Sequence, residues 1–119
     1  MTEVKNENSI KFEIDEKQRR RIELAIIKQL KEKGVYKYIH YRDLVNDYMG
    51  LWDFKNMLQA DIYERGVSVY WQNSESQFGY KKNESITELI KVNKQMLKIL
   101  YDLGIRASDL EVVEEDEEL

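Results

Sequence analysis

The segment from Asn83 to Gly104, NESITELIKVNKQMLKILYDLG, constrains this chain more than any other. It carries a helix start, either Asn83 as N-cap or Ser85 with Glu88 as a capping box. It also carries a stop, since Gly104 can take the left-handed conformation that closes a helix without a Cβ penalty. Between them run two apolar stripes. Ile86, Ile90, Leu97 and Leu100 mark one, and Leu89, Met96 and Leu103, spaced by seven, mark the other. Two stripes require two partners. The first is expected to meet another helix of the same chain and the second a neighbouring copy. Asn93 lies a heptad from both Ile86 and Leu100, where a buried Asn would fix helix register.

A second helix ends at Gly66. With Asp43 near its start, Leu44, Tyr48, Leu51, Leu58 and Ile62 recur every three or four positions, while Val45, Trp52 and Gln59 form an adjoining heptad stripe. Gly50 inside it costs up to about 1 kcal/mol relative to Ala, which predicts either a close backbone approach or a bend. Between the two helices the period falls to two. Val67, Val69 and Trp71 alternate with Ser68 and Tyr70, QNSESQFG supplies turn chemistry, and Tyr80, Lys81 and Lys82 follow, a β-hairpin pattern. Its aromatics Tyr70, Trp71, Phe78 and Tyr80 are expected to pack in the core or against another subunit rather than to stack on bases.

Upstream, Asp15 caps a helix over roughly 16 to 33, with Ile22, Ala25, Ile26, Ile27 and Leu30 on its apolar side and Gly34 at its end. The aromatic stretch VYKYIHY, residues 35 to 41, then connects it to the second helix. The expected fold is mainly α: an antiparallel pair of long helices with a small β-hairpin insertion and an additional basic N-terminal helix. Four regions result: a flexible arm over 1–14, the basic helix and connector over 15–40, a helical-hairpin oligomerisation core over 41–110, and an acidic disordered tail over 111–119, preceded by a short capped turn at Ser108 or Asp109.

Charge is segregated. Residues 17 to 33 hold Lys17, Arg19, Arg20, Arg21, Lys28, Lys31 and Lys33 against Glu23 and Glu32, a net of +5, whereas residues 106 to 119 hold one Arg against seven acidic side chains, a net of −6. The tail reads as solubilising, as a docking peptide for a partner, or as a competitor of DNA for the basic helix. With no Cys and a single His, His40, thiolate chemistry and the usual zinc layouts are out of reach, and no cofactor is expected. The five glycines are scattered singly, so no phosphate-cradling loop exists, and Asp43, Asp47, Asp53 and Asp61 are strung along a helix rather than converging. No apolar run is long enough to span a membrane, and no basic-then-apolar leader is present.

Three stretches, YMGLWDFKNMLQADIYERGV (48 to 67), KKNESITELIKVNKQMLKILYDLGI (81 to 105) and RASDL (106 to 110), share an order of features: an LW-bearing helix, an ERG turn, an aromatic hairpin, a KKNES cap and an LxxLG ending. In these features the region from Asn46 to Leu110 resembles the small subunit of the tailed-phage DNA-packaging terminase, in the branch common among phages of Gram-positive bacteria. The resemblance implies a non-enzymatic, ring-forming homo-oligomer that recognises double-stranded viral DNA at the packaging initiation site. It also implies delivery of that DNA to the terminase large subunit, which carries the ATPase and nuclease. The expected setting is the host cytoplasm, outside the mature virion.

On this reading Lys17, Arg19, Arg20, Arg21 and Lys28, with Lys81 and Lys82 at the hairpin exit, are the candidate DNA-phosphate contacts. Leu51, Trp52, Leu58, Ile86, Leu89, Ile90, Asn93, Met96, Leu97, Leu100 and Leu103 are the candidate assembly residues. The rivals are a small dimeric helix-turn-helix transcription regulator, against which the long connector counts, and an oligomeric interaction module that binds no DNA.

Overall fold

The computed structural model describes residues 12–106, in the order α1 (Glu16–Glu32), α2 (Ile39–Arg65), β1 (Ser68–Ser74), β2 (Gln77–Lys82) and α3 (Glu84–Asp102). The tail over 111–119, the turn expected at Ser108 or Asp109 and the arm up to Lys11 lie outside the described residues.

Local chemistry explains the element ends. The Asp15 side chain accepts a hydrogen bond from the Gln18 N–H at 3.0 Å, and Asn83 Oδ1 accepts one from the Ser85 N–H at 2.9 Å, so α1 and α3 each open on a satisfied cap. Asn83 rather than Ser85 is the cap, and α3 begins at Glu84. α1 and α3 also end alike. Gly34 and Gly104 sit at φ 78° and 76°, and the residues after them, Val35 and Ile105, donate back to Leu30 and Leu100 oxygens at 3.0 and 2.9 Å. This double closure folds an apolar side chain under each helix end, and Ile105 is fully enclosed by it.

α2 starts at Ile39, earlier than the expected start near Asp43, and takes three residues from the predicted connector. Tyr41 packs partly buried against the core ahead of Leu44, Val45 and Tyr48, so the apolar stripe extends one turn upstream and draws the helix with it. The hairpin pairs Tyr70 with Tyr80, Trp71 with Gly79 and Gln72 with Phe78, with an irregularity between Gln72 and Ser74. The Trp71 indole lies 3.4 Å from where a Cβ on Gly79 would stand, so glycine admits the ring across the strand. Tyr70, Phe78 and Tyr80 share the opposite, exposed face, with ring centroids 5.5 to 6.4 Å apart. Of the two places expected for them, the core of the chain is therefore not the one these three occupy.

The core is one cluster to which all three helices contribute: Ile26 and Leu30 from α1, Val45, Met49, Trp52 and Leu58 from α2, Val92, Met96, Ile99 and Leu103 from α3, and Ile105 beyond it. α1 therefore belongs to the same packed body as the hairpin of long helices, and no packing gap separates 15–40 from 41–106. Burial of each such side chain stabilises by about 1.5–3 kcal/mol relative to exposure, which makes this cluster the main source of cohesion.

The α3 stripe expected to meet a neighbouring copy packs into the core of the chain itself. Leu89, Met96 and Leu103, together with Val92 and Ile99, face α1 and α2, whereas Ile90 and Leu97 of the other stripe point outward. The cause is α2, whose inner face is set by Val45, Met49 and Trp52 and meets the stripe centred on Met96. Asn93 is exposed and fixes no register within the chain. Among the described residues the fully buried polar side chain is Asn83 instead.

Candidate functional site

The cations chosen from the sequence do not form one cluster. Arg19 donates through Nε and Nη2 to the two Asp53 carboxylate oxygens at 2.8 and 3.0 Å, a bidentate bond that staples α1 to α2. Both side chains are only about a third exposed, so Arg19 serves the fold and is not presented to a phosphate. Arg20 bonds Glu23 at 2.9 Å on the α1 surface, and Arg21 is partly buried. Lys17 and Lys28 are exposed. Lys81 and Lys82 lie at the hairpin, with Lys81 3.7 Å from Glu84.

A better-formed cationic surface occurs at the α1–α2 turn, which the sequence reading passed over. Lys31, Gly34, Tyr36, Lys37 and Arg42 line a shallow depression there. The Lys31 ammonium and the Arg42 guanidinium stand 5.6 and 5.1 Å from the Tyr36 ring centroid, and Lys37 stands 5.4 Å from that of Tyr38. Arg42 Nε also donates to the Tyr36 carbonyl at 2.9 Å, which aims its fork over the ring. Tyr38 gives α2 no side-chain cap, and no acidic residue occupies the first turn, so the positive end of the helix dipole adds to the same spot. The signal was present as bases interleaved with tyrosines in KGVYKYIHYR. Treating those aromatics as a connector hid it.

The residues expected to drive assembly divide sharply. Trp52, Leu58, Met96 and Leu103 are buried within a single chain, so they hold the subunit together and present nothing to a neighbour. Leu51, Leu89 and Leu100 pack partly buried on the same core, and Ile86 is half-buried. Ile90 and Leu97 are 55 % and 67 % exposed, and Tyr101, four residues after Leu97, is 81 % exposed. With the exposed Asn93 between them, these form one open stripe along α3. α2 carries a second open face. Phe54 and Met57 are exposed one and two turns after Gly50, whose backbone has nothing within 4 Å of a would-be Cβ. The helix continues through Gly50, and the first of the expected causes, a close approach, does not operate among the described residues of the chain.

At the far end of α2 a polar clasp joins the helix end to the hairpin exit and the start of α3. Arg65 forks onto both Asp61 oxygens at 2.6 and 2.7 Å and reaches Asn83 Oδ1 at 3.1 Å. Ser85 Oγ donates to Asp61 at 2.6 Å, and Asn83 Nδ2 donates to the Gly66 carbonyl at 2.9 Å. The Arg65 and Ser85 hydrogen bonds hold the Asp61 carboxyl well below the usual carboxylate range. The ERG and KKNES segments are thus two halves of one hydrogen-bonded junction.

His40 is exposed, with its ring 4.8 Å from that of Tyr41. Among the described residues no three His, Cys, Asp or Glu side chains gather in a way that could hold a metal ion, and no helix is long and apolar enough to cross a membrane. The chain matches no family model, no curated protein and no solved structure.

Proposed function

We propose that this protein is a DNA-packaging adaptor of the terminase small-subunit kind, a homo-oligomeric ring that grips double-stranded viral DNA and passes it to a large subunit carrying the ATPase and nuclease. The observation that carries the reading is the open apolar stripe Ile90, Leu97 and Tyr101 on a helix whose opposite face is already fully used. A lone subunit leaves that stripe in water. A second open face on α2, around Gly50, Phe54 and Met57, supplies a different surface to meet it, and contact between unlike surfaces generates rings when the rotation closes. Gly50, with no close neighbour among the described residues of the subunit, suits the close approach of a neighbouring helix.

The cationic face of α1 and the turn beyond it, with Lys17, Lys28, Lys31, Lys37 and Arg42, supports the DNA half of the reading. Each subunit would neutralise few phosphates, and repetition around a ring multiplies a weak grip. The helix-turn-helix regulator fits less well, because six residues, 33 to 38, separate α1 from α2 where that motif uses three or four.

The test is duplex affinity measured against salt concentration for the wild-type protein and for a variant with Lys17, Lys31 and Lys37 all changed to Gln. The reading predicts salt-sensitive binding whose log–log slope becomes shallower by about 2 to 3 per subunit engaged, at roughly 0.9 per lost phosphate contact. Unchanged affinity and slope would remove the DNA assignment.

A further inference from the structure

We propose that α2 of one copy lies antiparallel against α3 of the next, and that Asp43 and Asp47 on the first helix and Lys94 and Lys98 on the second key the contact by charge. This rests on the ring reading and adds to it which faces meet, in which direction, and what keeps each face from pairing with itself.

Of the four aspartates along α2, Asp53 holds Arg19, and Asp61 holds Arg65 and Ser85. Asp43 and Asp47 are exposed, and no base is bonded to either among the described residues. With the exposed Gly50, Phe54 and Met57 they recur every three or four positions. One open strip of α2 therefore runs from acidic at its start to apolar beyond its middle. α3 carries the matching strip in reverse order: Ile90 lies toward its start, and Lys94, Leu97, Lys98 and Tyr101 follow toward its end, all exposed. Lys94 has no carboxylate bonded to it among the described residues, and Lys98 has only Asp102, at a loose 3.6 Å. At about 1.5 Å per residue the two strips are of similar length, about 21 and 17 Å.

The direction follows from the fold. The two helices are antiparallel within a chain, since the clasp joins the end of α2 to the start of α3, while Lys33 beyond α1 ties to the Gly104 carbonyl beyond α3 at 2.8 Å. Their facing sides are already buried, with Val45, Met49 and Trp52 on one and Val92, Met96 and Ile99 on the other, so the outward strips cannot meet within one subunit. Successive copies around a ring of many subunits are nearly parallel, and α2 of one then meets α3 of the next antiparallel. That order brings Asp43 and Asp47 to Lys94 and Lys98, and Phe54 and Met57 to Ile90. Midway, Gly50 has nothing within 4 Å of a would-be Cβ and lets the helix axes come close. Pairing α2 with α2, or α3 with α3, would desolvate acids or bases with no opposite charge to meet them. Charge thus selects unlike faces, the condition for a ring rather than a closed pair.

Charge reversal in the full-length protein tests the match, with particle mass read by light scattering and helix content by circular dichroism. A variant with Asp43→Lys and Asp47→Lys, and another with Lys94→Glu and Lys98→Glu, should each stay helical and need about a hundredfold more protein than wild type to assemble. The milder pair Asp43→Asn and Asp47→Asn, which removes charge without reversing it, should need about tenfold more. Mixed in equal amounts, the two reversed variants should reassemble, because each supplies the face that the other's altered face requires. One chain carrying all four reversals should reassemble alone. Reversed variants that assemble as readily as an assembling wild type, or folded ones that stay apart both when mixed and when combined in one chain, would overturn the charge match and leave the ring reading standing. A wild-type protein of single-chain mass would leave both strips to another partner and overturn the inference together with the ring reading.

Discussion

The two ends of α2 use charge in opposite ways. At its C-terminal end the groups of one junction are all partnered: Asp61, Arg65, Asn83 and Ser85 satisfy one another and the Gly66 carbonyl, and Asn83 is completely buried. At its N-terminal end three cations surround tyrosine rings and an uncapped helix start, with no side-chain carboxylate bonded to them among the described residues. The first arrangement is complete without anything further and reads as structure. The second is incomplete and reads as a surface kept for an anion. Residue type alone does not separate them, since both ends are rich in bases; what separates them is whether a partner is built in.

Substitutions can break this comparison. Asn83→Ala should be the most costly, at about 2–3 kcal/mol in denaturant unfolding, because it deletes the α3 cap and leaves the partly buried Gly66 carbonyl without this partner. A loss under about 0.5 kcal/mol would mean that the clasp is ornamental. Next comes acid sensitivity. Since the folded state lowers the Asp61 pKa, the carboxylate's contribution is full above the unfolded value of about 4 and is lost as pH falls below it. Wild type should therefore lose its advantage over Asp61→Asn between about pH 4 and more acidic conditions, while the gap stays constant at neutral pH; a gap independent of pH would contradict the pairing.

Gly50→Ala should raise the stability of the isolated subunit by up to about 1 kcal/mol, because helix propensity improves and no atom lies within 4 Å of the new methyl. The same change should weaken assembly if a neighbouring helix approaches there, so opposite signs in thermal unfolding of the dilute subunit and in assembly sharpen the interface assignment. The smallest effect belongs to the open end of α2: Lys37→Ala should shift stability by no more than about 0.5 kcal/mol, as expected for a surface position whose work lies outside the fold.

Much of the architecture was legible because its signals are local. Asp15, Asn83, Gly34, Gly66 and Gly104 act within one turn of themselves, and they placed five helix ends to within a residue or two. The start of α2 was misplaced because Tyr38 is no recognisable cap, and the core stripe that begins at Tyr41 becomes visible only once α1 and α3 supply its partners. Which face of α3 turns inward was not legible for the same reason: periodicity finds both stripes, whereas the choice depends on the seating of Met96 and Ile99 against helices distant in sequence. The candidate site suffered likewise. Arg19 looks like a phosphate ligand until Asp53, 34 residues away, is found holding it, and the Tyr36 depression exists only when the chain turns between two helices.

The central claim is that the Ile90, Leu97 and Tyr101 stripe is closed by other copies of the chain, and the particle mass by light scattering tests it most directly. The wild-type protein should weigh many times 14.3 kDa, and Leu97→Glu should return a helical, folded species of single-chain mass. A wild-type protein that stays at 14.3 kDa at high concentration, folded and with the stripe in water, would contradict the account.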